Sequence, residues 1–241
     1  MMQLATRIDW AEPELRGLAA IVRPGDVALD VGAAHGMYTV PLAHLVGPNG
    51  QVHSFEPHPR QQGQLRFLRS LLGAAQVTVV PGAVGSNQGE HTMRLPVKFG
   101  FPIYGHAHIV VGTDPPVDRS VKVKYWRTPM HTVDDWVAER GLSGVGFVKV
   151  DVEGFEPNVI TGAEETIDRW RPSLLLEIEE RHLGRYGRDA NQFADEIRER
   201  WPDYRMYTWR EETWAPTEGV TADIRNYLFA TDAALARALT G

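Results

Sequence analysis

The chain has 241 residues, 43% of them hydrophobic, a size that one α/β domain occupies with a substantial core. It contains no cysteine, which excludes disulfides, thiolate metal sites and thiol nucleophiles and agrees with a reducing compartment. A net charge of −6 argues against a nucleic-acid partner, and no apolar run or leader pattern indicates membrane insertion or export, so the expected location is the cytoplasm.

In chain order, a helical segment over 1–25 leads into strands that alternate with helices, the pattern of a parallel sheet covered on both faces. "DVALDVG" (26–32) reads as the first strand and "MYTVPLAHLV" as its helix. "QVHSFEP" (51–57) is the second strand, followed by the helix "RQQGQLRFLRSLLG", which stops at Gly73. "QVTVVPGAVG" is the third. The rhythm then breaks over 87–129, rich in Gly, Pro, His and aromatic residues, with strand-like "EHTMRLPV" and "SVKVKYW". This insertion is expected to cover one end of the sheet as a substrate lid. From Arg94 to Arg127 it carries six basic residues against two acids, which fits either a solvated loop or a lid for a polar or anionic ligand.

"TVDDWVAERG" reads as a helix capped by Thr132. "FVKVDVEGFEP" (147–157) follows as a fourth strand, with Lys149, Asp151 and Glu153 at every second position on one face and Val148, Val150 and Val152 on the other. "PNVITGAEETIDRW" is a helix, "PSLLLEIEE" a fifth strand and "NQFADEIRERW" a helix. "YRMYTW" and "NYLFAT" close the chain as an antiparallel pair at a sheet edge. One domain over 1–241 is expected.

In open α/β sheets ligands bind beyond the carboxyl ends of the strands. "LDVGAAHGMYT" sits at such an end, where Gly32 and Gly36 flank a tight turn into a helix N-terminus. The dinucleotide fingerprint is not matched, because Ala34 and Met37 occupy its second and third glycine places. Asp30 before the glycine and Glu56 at the end of the second strand suggest another adenosine ligand, with Glu56 placed to accept both ribose hydroxyls.

This pattern resembles the Rossmann-like fold of class I S-adenosylmethionine (AdoMet) methyltransferases, a mostly parallel doubly wound sheet with an antiparallel C-terminal pair. The resemblance narrows at Thr132, Asp134 and Asp135, then Lys149, Asp151, Glu153, Gly154 and Glu156, then Gly162 and Ala163, which together are similar to the FkbM-type family. "PGAVG" (81–85) resembles that family's element near the adenine. The likeness spans about 27–180 and fades in the insertion and the C-terminal quarter. It implies AdoMet as cofactor and, most often in the family, O-methylation of sugars and natural products. The implied cofactor contacts are Asp30, Gly32, Ala33, His35, Gly36, Tyr38, Thr39, Glu56, Pro57, Ala83, Val84 and Asp151.

Methyl transfer to a hydroxyl needs alignment and a proton acceptor. Asp151 is the first candidate for both the donor's methionine end and the acceptor hydroxyl, followed by Glu153 and Glu156, with Glu179 and His182 as further bases. A carboxylate set of Asp151, Glu177 and Glu179 is the alternative, holding Mg²⁺. Lys149 reads as an internal counter-ion to Asp151 or Glu177. His35 either shapes the loop or contacts ligand. His106 and His108 are base, ligand or lid surface, and Trp126 and Trp136 are core or stacking platform. The expected reaction is O-methylation of a sugar or glycosylated metabolite. N- or carboxyl-methylation and an inactive AdoMet-fold binding protein are the alternatives. The expected partner is a hydroxyl-bearing small molecule, and a homodimer is compatible with the sequence.

Overall fold

The computed structural model describes residues 12–99, 101–103, 107–112 and 121–236. A 3₁₀ helix, Pro13–Ala20, leads to β1 (Val27–Val31), α1 (Thr39–Val46), β2 (Gln51–Glu56), α2 (Pro59–Leu71) and β3 (Val77–Pro81). Short β4 (Ala83–Val84) is followed by β5 (Gly89–Lys98), β6 (Phe101–Pro102), β7 (His108–Ile109) and β8 (Val121–His131). Then come α3 (Val133–Glu139), β9 (Phe147–Val150), α4 (Glu156–Thr161), α5 (Glu164–Trp170), β10 (Ser173–Glu177), α6 (Glu180–Leu183) and α7 (Ala190–Arg200). β11 (Tyr204–Arg210), β12 (Thr213–Pro216), β13 (Asn226–Thr231) and α8 (Asp232–Ala236) complete the described elements.

The main sheet runs β12-β11-β13-β10-β9-β1-β2-β3. The stretch from β10 to β3 is parallel, whereas β13 lies antiparallel between β10 and β11. The order reverses between β1 and β9, which opens a crevice at their carboxyl ends. Alternation sets the two faces. Leu29, Val31, Val148 and Val150 enter the core beneath α3, α4, α5 and α7. Ala28, Phe147 and Leu175 enter a second core with Leu15 and Leu18 of the 3₁₀ helix and Leu42 of α1. Lys149 and Asp30 share the parity of Phe147 and Ala28, so their charges enter this second face.

The insertion forms its own sheet, β4-β8-β5-β6, with β7 paired to β5. β5 and β8 run antiparallel from Gly89 opposite Met130 to Lys98 opposite Val121. Ala83, Met93, Ile109, Met130 and Phe155 form the apolar seam between the two sheets, and Trp126 Nε1 donates to the Pro57 carbonyl at 3.2 Å.

Thr132 caps α3 as expected, its hydroxyl accepting from the Asp135 N–H at 3.0 Å. Three expectations are corrected. β9 stops at Val150, so Asp151 and Glu153 belong to a turn and not to a strand face. The turn is forced by left-handed backbone at Glu153 (φ 59°) and Gly154 (φ 101°). The helix expected over 157–170 is two helices, α4 and α5; at Gly162 between them the chain packs so closely that a Cβ would lie 2.0 Å from the Gly85 carbonyl oxygen. The C-terminal pair also has a companion, β12, outside β11. His106, Asp114, Asp118 and Arg119, and residues 1–11 of the N-terminal segment, lie outside the described residues. Among the described residues no helix is long and apolar enough to cross a membrane.

Candidate active site

A cavity of about 220 Å³ opens at the carboxyl ends of β1, β2 and β9. Gly32, Ala34, His35, Glu56, Pro57, Asp151 and Glu153 line it from the main sheet, and Ala83, Val84, Met93, His108 and Ile109 from the second. A larger depression, about 600 Å³, lies at the opposite end of the sheet, before β1, β9 and β10. Two of its three arginines are already paired, Arg171 with Asp203 and Arg205 with Asp232, and the third, Arg23, donates to the Ala20 carbonyl. The smaller cavity is where perturbed carboxylates converge, and the chemistry is placed there.

The loop after β1 approaches its neighbours so closely that it needs glycine. Gly32 has φ 85°, and a Cβ there would lie 1.8 Å from the Asp151 carbonyl oxygen. The turn is tied to β2 through Glu56, whose Oε2 accepts from Ala34 N–H at 2.9 Å and whose Oε1 accepts from His58 N–H at 2.7 Å. Burial pushes the Glu56 carboxyl up to about 7 against the pull of these donors.

The residues expected at the cofactor divide into two groups. Gly32, His35, Glu56, Pro57, Ala83, Val84 and Asp151 face the cavity. Asp30, Ala33, Gly36, Tyr38 and Thr39 do not line it. The Thr39 hydroxyl donates to Asp30 and meets Ser54 Oγ at 2.9 Å, and burial holds Asp30 up at about 6. The Tyr38 hydroxyl donates to Glu12 and, at 3.3 Å, to Glu14, so it points away from any ligand in the cavity.

Lys149 is fully buried on the second face of the sheet. Its ammonium donates to Asn226 Oδ1 at 2.9 Å and the Val150 carbonyl at 3.2 Å, lies 4.0 Å from Asp151 Oδ2, and sits over the Tyr38 ring at 4.9 Å. Burial pulls its pKa down, but Asp151, Glu12, Glu177 and Glu14 outweigh burial and raise it. Asp151 keeps 29% of its side chain exposed, towards the cavity, and burial pushes it up to about 7 against the opposing Lys149 charge.

Glu153 also lines the cavity. Its backbone is held by Arg185, which donates to its carbonyl at 2.8 Å, and by the close packing of Gly154 on the His182 carbonyl. Burial, then Glu177 and Asp151, push the Glu153 carboxyl up to about 9, while burial lowers His182. Glu156 serves the turn: its Oε1 accepts from Val152 N–H at 3.0 Å and Gly154 N–H at 3.2 Å. Glu179 is bound to Arg181 and Arg225, each at 2.6 Å, which hold it below the usual carboxylate range despite burial. Glu179 is thus held by two arginines and does not line the cavity. Among the described residues the carboxylate and imidazole groups within mutual reach are Glu153, Glu177 and His182, and Glu12, Asp151 and Glu177. Trp136 is core, packed on Phe55 and donating to His53 Nδ1 at 3.2 Å, whereas Trp126 stands beside Pro57 and His58 at the cavity edge.

Sequence reasoning missed Glu12, Glu14, Arg225 and Asn226. Asn226, a polar residue heading an apolar strand, was the available signal. No motif marks Glu12 or Glu14, and only packing of the 3₁₀ helix on the second face of the sheet brings them in.

A doubly wound sheet with an antiparallel strand slotted beside its fifth parallel position, and carboxylates after β2 and β9 facing one cavity, defines the class I AdoMet-dependent methyltransferase fold. Residues 30–206 match the Methyltransferase FkbM domain, and the chain belongs to that family of AdoMet-dependent methyltransferases. It is 28% identical over 167 residues to the 31-O-demethyl-FK506 methyltransferase FkbM of Streptomyces tacrolimicus, covering 60% of this chain and 62% of that one. The crystal structure of Methyltransferase FkbM from Methylobacillus flagellatus KT shares the fold at TM-score 0.54 and 16% identity, covering 95% of this chain and 57% of that one. Precorrin-6y C5,15-methyltransferase from Geobacter metallireducens GS-15 does so at TM-score 0.50 and 11% identity, covering 93% of each chain. The chain therefore spans less than two thirds of either FkbM relative.

Proposed function

We propose that the chain is an O-methyltransferase for a hydroxyl of a sugar or glycosylated small metabolite, with AdoMet held in the cavity beyond β1, β2 and β9. The observation that carries this is the convergence of Glu56 and Asp151 on one cavity from the ends of the two strands that flank β1. AdoMet, when bound, supplies a methyl group on a sulfonium. Glu56 has lone pairs left after its two backbone bonds and accepts the ribose hydroxyls. The backbone of Gly32–Gly36 passes beneath, and Ala83 and Val84 form the apolar wall for the base.

Asp151 accepts the proton that the acceptor hydroxyl loses as its oxygen takes the methyl. It is suited to this because it is reached from the cavity and backed by the Lys149 ammonium. The second sheet, which supplies Met93, His108 and Ile109 to the wall, acts as the acceptor cover. The name of the Streptomyces relative, which places its methyl on an oxygen of demethyl-FK506, supports an oxygen acceptor here.

The test is transfer of labelled methyl from AdoMet across saccharides and glycosylated metabolites, with the product's linkage read by NMR. An O-methyl product supports the reading, and an N-methyl or methyl-ester product replaces it. Asp151→Asn should lower kcat at least about 100-fold while leaving the fold intact. Unchanged turnover removes Asp151 as the base.

A further inference from the structure

Behind Glu153 the fold gathers three buried polar atoms without hydrogen-bond partners. Glu153 Oε2, Glu177 Oε2 and His182 Nδ1 are buried and have no hydrogen-bond partner. Glu177 and His182 are only 2% and 4% exposed. His182 Nε2 lies 3.2 Å from Glu153 Oε2, and its Nδ1 lies 3.7 Å from Glu177 Oε2. A neutral imidazole carries one N–H, so it can serve only one of these carboxylates. Leaving the rest unmet in a buried position is unfavourable.

The neighbouring acids are not in the same state. Glu12, Asp151 and Glu177 surround an internal cation, the buried Lys149. Arg225 binds Glu177 through the other oxygen, Oε1, and Arg185 is engaged with the Glu153 backbone. Among the described residues no Lys or Arg ion pair reaches the Glu153 carboxylate. A positive charge that accepts lone pairs from oxygen and nitrogen together would satisfy these atoms.

We propose that Glu153, Glu177 and His182 form a binding site for a first-row divalent cation, Mn²⁺ or Zn²⁺, at the floor of the cavity. One ligand atom from each lies within 4.8 Å of the other two, a spread that a single ion can draw together. Two carboxylates with an imidazole suit these ions, whereas Mg²⁺ favours oxygen ligands alone. The ligands sit on two segments locked together, since a Cβ on Gly154 would lie 2.3 Å from the His182 carbonyl oxygen. Glu153 alone of the three lines the cavity, so open coordination positions face it and an acceptor hydroxyl oxygen completes the shell. That last role rests on the methyl-transfer reading; the binding of the ion does not.

Chelator-stripped protein titrated with MnCl₂ and with ZnCl₂ by calorimetry, with bound Mn²⁺ followed by EPR, tests the site. One ion per chain is expected, with Glu153→Gln and His182→Asn each weakening binding at least about tenfold. Absence of stoichiometric binding to the native chain overturns the proposal, as does binding that both variants leave unchanged. So does ¹⁵N NMR showing His182 protonated on both nitrogens at pH 7, because an imidazolium bridging the two carboxylates would then fill the site. A parallel titration with AdoMet separates the two readings. AdoMet binding without metal binding overturns the metal site alone, and metal binding without AdoMet binding supports the site while overturning the donor assignment.

Discussion

Lys149→Met removes the internal cation while keeping an unbranched apolar chain in the same volume. At 4.0 Å from Asp151, an ion pair at an effective dielectric of about 20 is worth roughly 4 kcal/mol. Breaking a buried pair from one side typically destabilises by about 3–5 kcal/mol, in agreement. For a chain of this length that corresponds to a loss of roughly 10 °C in Tm. The deficit should depend on pH with a defined sign. Lys149 holds the carboxyls of Glu14 and Asp30 lower than burial alone would, at about 7 and about 6. Above about pH 7 both are ionised and the missing cation is felt in full. As pH falls below about 6 they take up protons, the attraction lost in the variant no longer exists in wild type, and the deficit narrows. Urea denaturation of both proteins from pH 5 to 8 measures this. A deficit under about 1 kcal/mol at pH 8, or one that grows on acidification, would refute the view that Lys149 is the charge centre of the second face.

Other expectations follow from the same contacts. Glu56→Gln should weaken AdoMet binding about tenfold or more by calorimetry, since a charged acceptor of ribose hydroxyls is lost. The same variant should gain stability relative to wild type as pH rises. The Glu56 carboxyl, raised to about 7, favours the fold below about pH 4.5 and loses up to about 3 kcal/mol of that by pH 7 and above; a flat difference curve contradicts this. His53 has the opposite sign. Burial lowers it to about 4, so its contribution is complete above about pH 6.5 and lost as pH falls towards 4, and His53→Asn should flatten that limb in acid denaturation. Gly32→Ala meets both left-handed backbone and the Asp151 carbonyl, so it should lose about 2–4 kcal/mol in urea and most AdoMet affinity. Near-native behaviour would show that the strand ends can part.

The elements of the main sheet were legible because period-2 apolar strands alternated with amphipathic helices between glycine stops, and the ligand end followed from the loop after β1. The turn at 151–155 was not legible. The alternation Lys149, Asp151, Glu153 continues in the residues after the backbone has left the strand, because Gly154 packs on a chain segment nearly thirty residues away. Tyr38 and Thr39 misled for a related reason. Their position at a helix start suits a ligand, but their hydroxyls are taken by Glu12 and Asp30, and the first of these partners comes from the far N-terminal segment.

The residues by themselves determined the layered α/β class, the FkbM-type motif and two of the carboxylates that face the cavity, Glu56 and Asp151. These are local matters of period, glycine placement and strand-end chemistry. The tertiary structure decided which charges meet. Lys149 belongs with Glu12, Glu14 and Asn226, Glu179 belongs with surface arginines, and Glu153, Glu177 and His182 converge on one point. A buried charge is costly unless an opposite charge or hydrogen-bonding group lies within a few ångströms, and those contacts are made by segments that only packing brings together.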